Sequence, residues 1–426
     1  MGKIVLHTII GLLSVLFLYP STGEFFIILI MPYVIWMVFS TDAKYLPALI
    51  LHAASATTIM LVISLSIIGL SIINYNAFKH KKLNKPLNYL IYLSPIFVWL
   101  AIYKVLVMGE YIPIAVSYIG YYLSFFAFFY GVLISKTVDN RVLYSIYFSL
   151  FVLSLSGNLF DTDYHRVQFA FSVVSASLLI SLGLRKSIPG SLILPAIYGI
   201  FILFSDPKNL TFTVILIIFL VSLFTVLYYK NKKELLIKSL GLNSFLLIVG
   251  VIAIGVIKYG GVSFAYIPDS FESIKNLNEF IDRFSFKLFW DRAPYWAGGI
   301  EQILFLKPIL PDPAIPKITA FLSTNQWQNV DFGSHSTIIE LIRIYGIVAG
   351  GILVYLLISI VLRTRSFFVL PGHAPLLLAF SLMSIITTIV LTLAGTFQLL
   401  PEFSLISMGF LGILYSKYFQ TNVNNK

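Results

Sequence analysis

The chain has 426 residues, of which 58% are hydrophobic and only 11% charged, and its mean hydropathy is +0.92. A soluble domain carries roughly a quarter charged residues, so too little polar surface is present to cover a water-facing globule. The chain reads as an integral membrane protein of all-α class, a polytopic bundle of helices, and its net charge of +11 reports basic cytoplasmic loops rather than nucleic-acid binding.

The absence of cysteine excludes disulfides, thiolate metal sites and thiol catalysis. The six histidines show no spacing suited to a metal, and no Walker-type phosphate loop occurs. Neither a metal, nor a cofactor, nor ATP-driven pumping is expected.

In chain order, the first stretch is MGKIVLHTIIGLLSVLFLYPSTGE. It has the Lys-then-apolar build of a signal peptide. No small-x-small cleavage site follows and further apolar segments do, so it is read as a retained helix. A membrane crossing needs about 20 apolar residues. Candidate spans cover 4–19, 25–40, 45–74, 87–107, 112–134, 142–158, 167–184, 190–204, 211–229, 240–258, 336–362, 374–393 and 402–420. Residues 45–74 are long enough to hold a broken pair and 4–40 contains two short segments, so the count is twelve to fourteen.

Lys and Arg in short loops set orientation. Lys79, Lys81, Lys82 and Lys85 form one cluster, Lys136 and Arg141 another, then Arg185 with Lys186, then Lys230, Lys232, Lys233 and Lys238, then Arg363 with Arg365. Their spacing by pairs of spans puts all five on one side, read as the cytoplasm. The loops near 108–111, 159–166, 205–210, 259–335 and 394–401 then face the other side. Three spans before residue 75 would leave the N-terminus outside.

Residues 259–335 are the one extended polar segment. Within 259–334 there are eight acidic and six basic residues, against 18 acidic and 29 basic in the whole chain; the loop lacks the basic bias of the cytoplasmic side. PDSFESIKNLNEFIDRF, with Asp269 or Ser270 as N-cap, and WDRAPYWAGGIEQILF both carry apolar residues at helical spacing. Trp290, Tyr295 and Trp296 suit a membrane interface. KPILPDPAIPK is a Pro-rich connector. A loop this long and ordered carries function. The chain thus divides into an N-terminal transmembrane bundle (1–258), a large, partly helical extracytoplasmic loop (259–335), and C-terminal transmembrane helices with a short cytoplasmic tail (336–426).

The next stretch, DFGSHSTIIELIRIYGIVAGG, places an imidazole, a carboxylate and a guanidinium where an apolar helix begins. Gly333 and Ser334 form a turn and N-cap, with His335 in the first turn. At about 100° per residue, Ile339 and Ile342 share the face of His335; Arg343 lies about 80° round and Glu340 about 140°. Charges at such a depth face a bundle interior or a wet cavity. Glu340 and Arg343, three apart, are compatible with a structural ion pair and with a substrate site.

Arg292, between Trp290 and Trp296, suits a phosphate or pyrophosphate at headgroup level; the plainer reading is an interfacial Arg. Arg166 in FDTDYHRVQF and Lys208 in FSDPKNLTF end two other outer loops. Each either lends positive charge to the same cavity or pairs with Asp161, Asp163 or Asp206. Lys104 and Glu110 read as a solvated pair, and His52 as hydrogen-bonded packing.

DRAPYW in a late outer loop, followed by SHSTIIELIRIYGIVAGG opening the next helix, resembles the O-antigen polymerase and O-antigen ligase superfamily (Wzy and WaaL). The second segment is similar to that family's signature at His335, Glu340, Gly346 and Ile347, and the span plan covers nearly the whole chain. Where family members carry a Ser-Arg pair, this chain has Lys208, while Arg166 precedes an earlier span; the second cationic ligand stays open between the two. The resemblance implies a metal-independent glycosyltransferase of the bacterial inner membrane with its large loop in the periplasm. The growing glycan would pass from undecaprenyl pyrophosphate to a sugar hydroxyl of another lipid-linked repeat unit. A chain-length regulator and a flippase are the implied partners.

In that chemistry preorganised cations stabilise the departing pyrophosphate. Arg292 is the first choice, with Arg166 or Lys208 assisting and Arg343 and Trp296 completing the substrate-binding set. A neutral imidazole accepts the acceptor's proton near neutral pH, which points to His335 as base and Glu340 as runner-up. No covalent nucleophile stands out, so displacement inverts the anomeric centre. The alternatives are the ligase of the same superfamily, which transfers polymer to lipid A-core, and a flippase or transporter of lipid-linked sugars. The latter needs matching halves and midplane polar sites, which the sequence does not display.

Overall fold

The computed structural model describes residues 2–18, 21, 25–55, 58–74, 83–109, 112–149, 293–311, 318–321, 327–330, 336–364 and 408–424. The described residues are helical apart from one short ribbon. The helices are α1 (Gly2–Leu13), α2 (Phe25–Phe39), α3 (Leu46–Ser55), α4 (Thr58–Asn74), α5 (Asn84–Leu106), α6 (Ile112–Ile134), α7 (Ala293–Leu306), α8 (Thr337–Thr364) and α9 (Gly409–Asn424). Strands β1 (Ile318–Phe321) and β2 (Trp327–Val330) pair antiparallel, Ile318 opposite Val330 and Phe321 opposite Trp327. Among the described residues the ribbon is the one departure from the all-helical expectation, and it follows the Pro-rich part of the long loop. The prolines before it stop helices, and its β-branched and aromatic residues suit strands.

The chain divides into two compact units. One comprises Met1–Val174, Ile352–Thr388 and Phe397–Lys426; the other comprises Ser175–Gly351 and Ile389–Thr396. By length and composition, Lys85–Leu106 and Thr337–Ile360 are apolar enough to cross a membrane. The second run, however, is interrupted at Gly346.

In the first unit, α1 and α3 lie side by side and run the same way. His7 packs edge-on to Tyr45 at 4.7 Å, a Cβ on Gly11 would lie 3.1 Å from the Ala48 Cα, and Val15 meets Leu51. The stretch 45–74 is a pair of helices, not one span. Ile50 lines a cavity with Tyr130, and Gly69 lies against the Phe126 ring. Nineteen residues of straight helix would separate Ile50 from Gly69 by about 28 Å, whereas Phe126 and Tyr130 differ by about 6 Å of rise. One straight helix therefore does not run from Ile50 to Gly69.

Several polar groups on these helices are satisfied locally. Pro95 cannot donate to the Ile91 carbonyl, and the neighbouring Ser94 hydroxyl does so at 2.6 Å. Ser14, Ser124 and Ser149 donate to carbonyls one turn back at 2.7 Å each. His52 is fully buried, with Nδ1 2.6 Å from the Ala48 carbonyl oxygen and its ring stacked on Phe26, which is the packing role the sequence suggested. Lys104 corrects an expectation. It is only 2% exposed, so it is not half of a solvated pair; Glu110 lies outside the described residues.

Helices α6 and α9 meet backbone to backbone. A Cβ on Gly131 would strike the Gly409 carbonyl, and one on Gly412 the Phe128 carbonyl. The Ser135 hydroxyl donates to Ser416 Oγ at 2.7 Å. Gly131 with Ser135, and Gly412 with Ser416, are small residues four apart, the spacing that lets apolar helices approach closely. At the same end Lys417 donates to the Val138 carbonyl at 3.0 Å, and Ala43 N–H donates to Thr137 Oγ1 at 2.9 Å. Lys3, Lys44, Lys136, Arg141 and Lys417 all gather there.

Candidate functional site

The site is built by three pieces of the second unit: α7, the strap that follows it, and the start of α8. Helix α7 ends at Leu306 because Pro308 cannot continue it. Lys307 takes a positive φ of 44°, while its N–H still donates to the Ile303 carbonyl at 3.0 Å, which closes the helix in the left-handed manner common at C-termini. Residues 307–311 then pass across α8.

Helix α8 is two helices. Gly346 has φ 76° and ψ 169°, a backbone region that is essentially glycine-only. The break separates α8a (337–345) from α8b (347–364), and the two fold towards each other: a Cβ on Gly350 would strike the Leu341 carbonyl. A straight helix would hold those residues about 13 Å apart. A break leaves N–H groups without partners inside the helix. Here the strap supplies the acceptors: Ile347 N–H donates to the Pro308 carbonyl at 2.7 Å, and Val348 N–H to the Ile309 carbonyl at 3.3 Å. The approach is tight enough that a Cβ on Gly346 would lie 2.6 Å from the Ile309 oxygen.

One turn before the break sits the ion pair. Arg343 Nε donates to Glu340 Oε1 at 3.0 Å and Nη2 to Oε2 at 2.7 Å. Glu340 is 2% and Arg343 5% exposed. The bidentate fork engages both carboxylate oxygens, the strong form of this contact. Arg343 Nη1 also donates to Gln302 Oε1 on α7 at 3.2 Å. The pair is thus tied to α7 as well as to its own helix.

Of the sequence candidates, the structure joins Glu340 and Arg343 directly. Trp296 lies on α7. His335, Arg292, Arg166 and Lys208 lie outside the described residues. In the sequence, Arg292 immediately precedes α7, and His335 stands two residues before α8. Among the described residues no cluster of side chains is arranged to hold a metal ion. Sequence reasoning missed Gln302. It belongs to the quoted amphipathic stretch, but an uncharged amide gives no depth signal. Gly346 was noted as part of a signature; its conformational role emerges from the backbone.

The chain matches no protein-family model, and no curated protein sequence matches it.

Proposed function

We propose that the chain is a polytopic inner-membrane polysaccharide polymerase. It would transfer a growing glycan from undecaprenyl pyrophosphate to a sugar hydroxyl of another lipid-linked repeat unit, on the periplasmic side. The observation that carries the reading is the buried Glu340–Arg343 pair, held by Gln302 of the outer-loop helix and set beside the two sequence segments that resemble the polymerase and ligase superfamily. Buried charge in so apolar a chain marks a functional interior by default. The gathering of five cations at one end of the first unit supports reading that end as cytoplasmic, which puts the N-terminus there too.

In this reading Arg292 stabilises the departing pyrophosphate, with Arg166 or Lys208 assisting. His335 takes the acceptor's proton, and direct displacement inverts the donor anomer. Glu340 and Arg343 orient the acceptor beside His335.

The test is the surface glycan and carrier-lipid content of cells carrying a clean deletion, Arg292→Ala or His335→Ala, at matched protein abundance. Loss of polymer with single repeat units still exported supports polymerisation. Accumulation of long polymer on the carrier lipid would identify the ligase instead, and trapping of repeat units on the inner face a flippase. Retention of the donor anomer in the new linkage would exclude the inverting mechanism.

A further inference from the structure

We infer that Gln302 and the strap 307–310 form a clasp that sets the register between the outer-loop helix and the broken helix, and that Gln302 is a positioning residue for the proposed transfer. Two attachments from one continuous piece of chain support this. The Gln302 amide oxygen accepts from Arg343 on α8a at 3.2 Å. Six and seven residues later, the Pro308 and Ile309 carbonyls accept from Ile347 and Val348 on α8b at 2.7 and 3.3 Å. The attachments straddle Gly346. One fixes where α7 sits relative to the ion pair, and the other fixes the two halves of the break relative to each other. No side chain intrudes between strap and break, because Gly346 has none.

The consequence rests on the proposed function. Arg292 is the residue before α7, and His335 stands two before α8. Any rotation of α7 against α8a changes the spacing of the leaving-group cation and the acceptor base. Transfer is sensitive to about 1 Å of misplacement, so the clasp sets the rate without touching substrate. Gln302 supplies a neutral acceptor. It holds Arg343 without competing for its charge, so the guanidinium stays committed to Glu340.

The cysteine-free sequence gives a clean background for the test. Ile309 and Val348 are both exposed and joined by a backbone hydrogen bond, which keeps their Cα atoms within disulfide range. In the full chain carrying Ile309→Cys and Val348→Cys, the disulfide should form on mild oxidation without loss of polymer. Adding Gln302→Ala should slow its formation and cut polymer about tenfold under reducing conditions, the size of one hydrogen bond to a charged group. Oxidation should then restore polymer, because the disulfide replaces the lost attachment. Gln302→Glu still offers an acceptor at the same reach but competes with Glu340 for the guanidinium, so it should cross-link like the parent while making less polymer.

Unchanged cross-linking and unchanged polymer in Gln302→Ala would overturn the clasp. Polymer lost with cross-linking normal, and not restored by oxidation, would mean that Gln302 meets substrate and is no positioning residue. If Gln302→Ala slows cross-linking while even the clean deletion leaves the glycan intact, the clasp stands and the polymerase reading fails.

Discussion

Replacing Gly346 by alanine tests the broken helix most directly. With φ 76° and ψ 169°, an alanine there costs about 1–3 kcal/mol in backbone strain alone. Its Cβ would also lie 2.6 Å from the Ile309 oxygen and 2.7 Å from the Leu310 carbonyl carbon. These are backbone atoms, so no rotamer change relieves the clash. The strap must back away, which breaks the Ile347–Pro308 and Val348–Ile309 hydrogen bonds, and each stranded N–H costs about 1–3 kcal/mol. Together these come to about 3–9 kcal/mol. The control lies five residues on: a Cβ on Gly351 meets nothing within 4 Å, and alanine gains about 1 kcal/mol over glycine in a helix interior. Thermal unfolding of the purified protein in detergent should show Gly346→Ala far less stable than the parent, and Gly351→Ala equal or slightly more stable. Equal midpoints for the two variants would refute the break and its capping by the strap.

The α6–α9 crossing makes a similar comparison: Gly131→Ala and Gly412→Ala should lower the unfolding midpoint, whereas Gly409→Ala, whose Cβ meets only the Ala127 oxygen at an ordinary 3.8 Å, should not. Removing either member of the buried pair, by Glu340→Gln or Arg343→Met, should destabilise by about 3–5 kcal/mol, and the double variant by less than either alone; a double-mutant cycle on the same midpoints measures it. At the basic end, burial pushes the Asp42 carboxyl up, but hydrogen bonds from the Lys44 side chain and backbone, with its charge, outweigh this and hold it below 3.8. That contribution is full above the ordinary carboxylate value and fades as pH falls through the lowered one, so the midpoint of Asp42→Asn should fall less steeply in acid than the parent's. Arg292→Lys should shorten the polymer, because an ammonium cannot reproduce a bidentate fork on pyrophosphate; parental chain lengths on a glycan gel would remove Arg292 from that role.

The helical character was legible because apolar composition and run length carry it directly, and α5 and α6 fall where the sequence placed spans 87–107 and 112–134. The length of 45–74 was itself enough to suggest a broken pair, and α3 and α4 fall there. The break at Gly346 was hidden: IYGIVAGG continues the apolar pattern, and a glycine in such a run reads as a packing residue until its φ is known. At the site, the i,i+3 spacing of Glu340 and Arg343 was enough to suggest their pairing. Gln302 was not legible, because its partner is 41 residues away and local periodicity carries no information across that distance.

The geometry of the pair also bears on how labour is divided within the proposed reaction. Both oxygens of Glu340 accept from one guanidinium, and both groups are buried. To take a proton, the carboxylate would have to surrender part of a charge-assisted fork and leave Arg343 an uncompensated buried cation, a change costing several kcal/mol. A neutral imidazole gives up no ion pair when it takes a proton. The proposed roles therefore separate: His335 moves the proton, while Glu340 and Arg343 hold a fixed dipole beside it, kept in place by Gln302. Glu340→Gln at matched abundance should accordingly reduce transfer while leaving its pH dependence unchanged, because the proposed mechanism assigns the proton to His335. A shift in the acid limb of the pH–rate profile on that substitution would return the proton to Glu340.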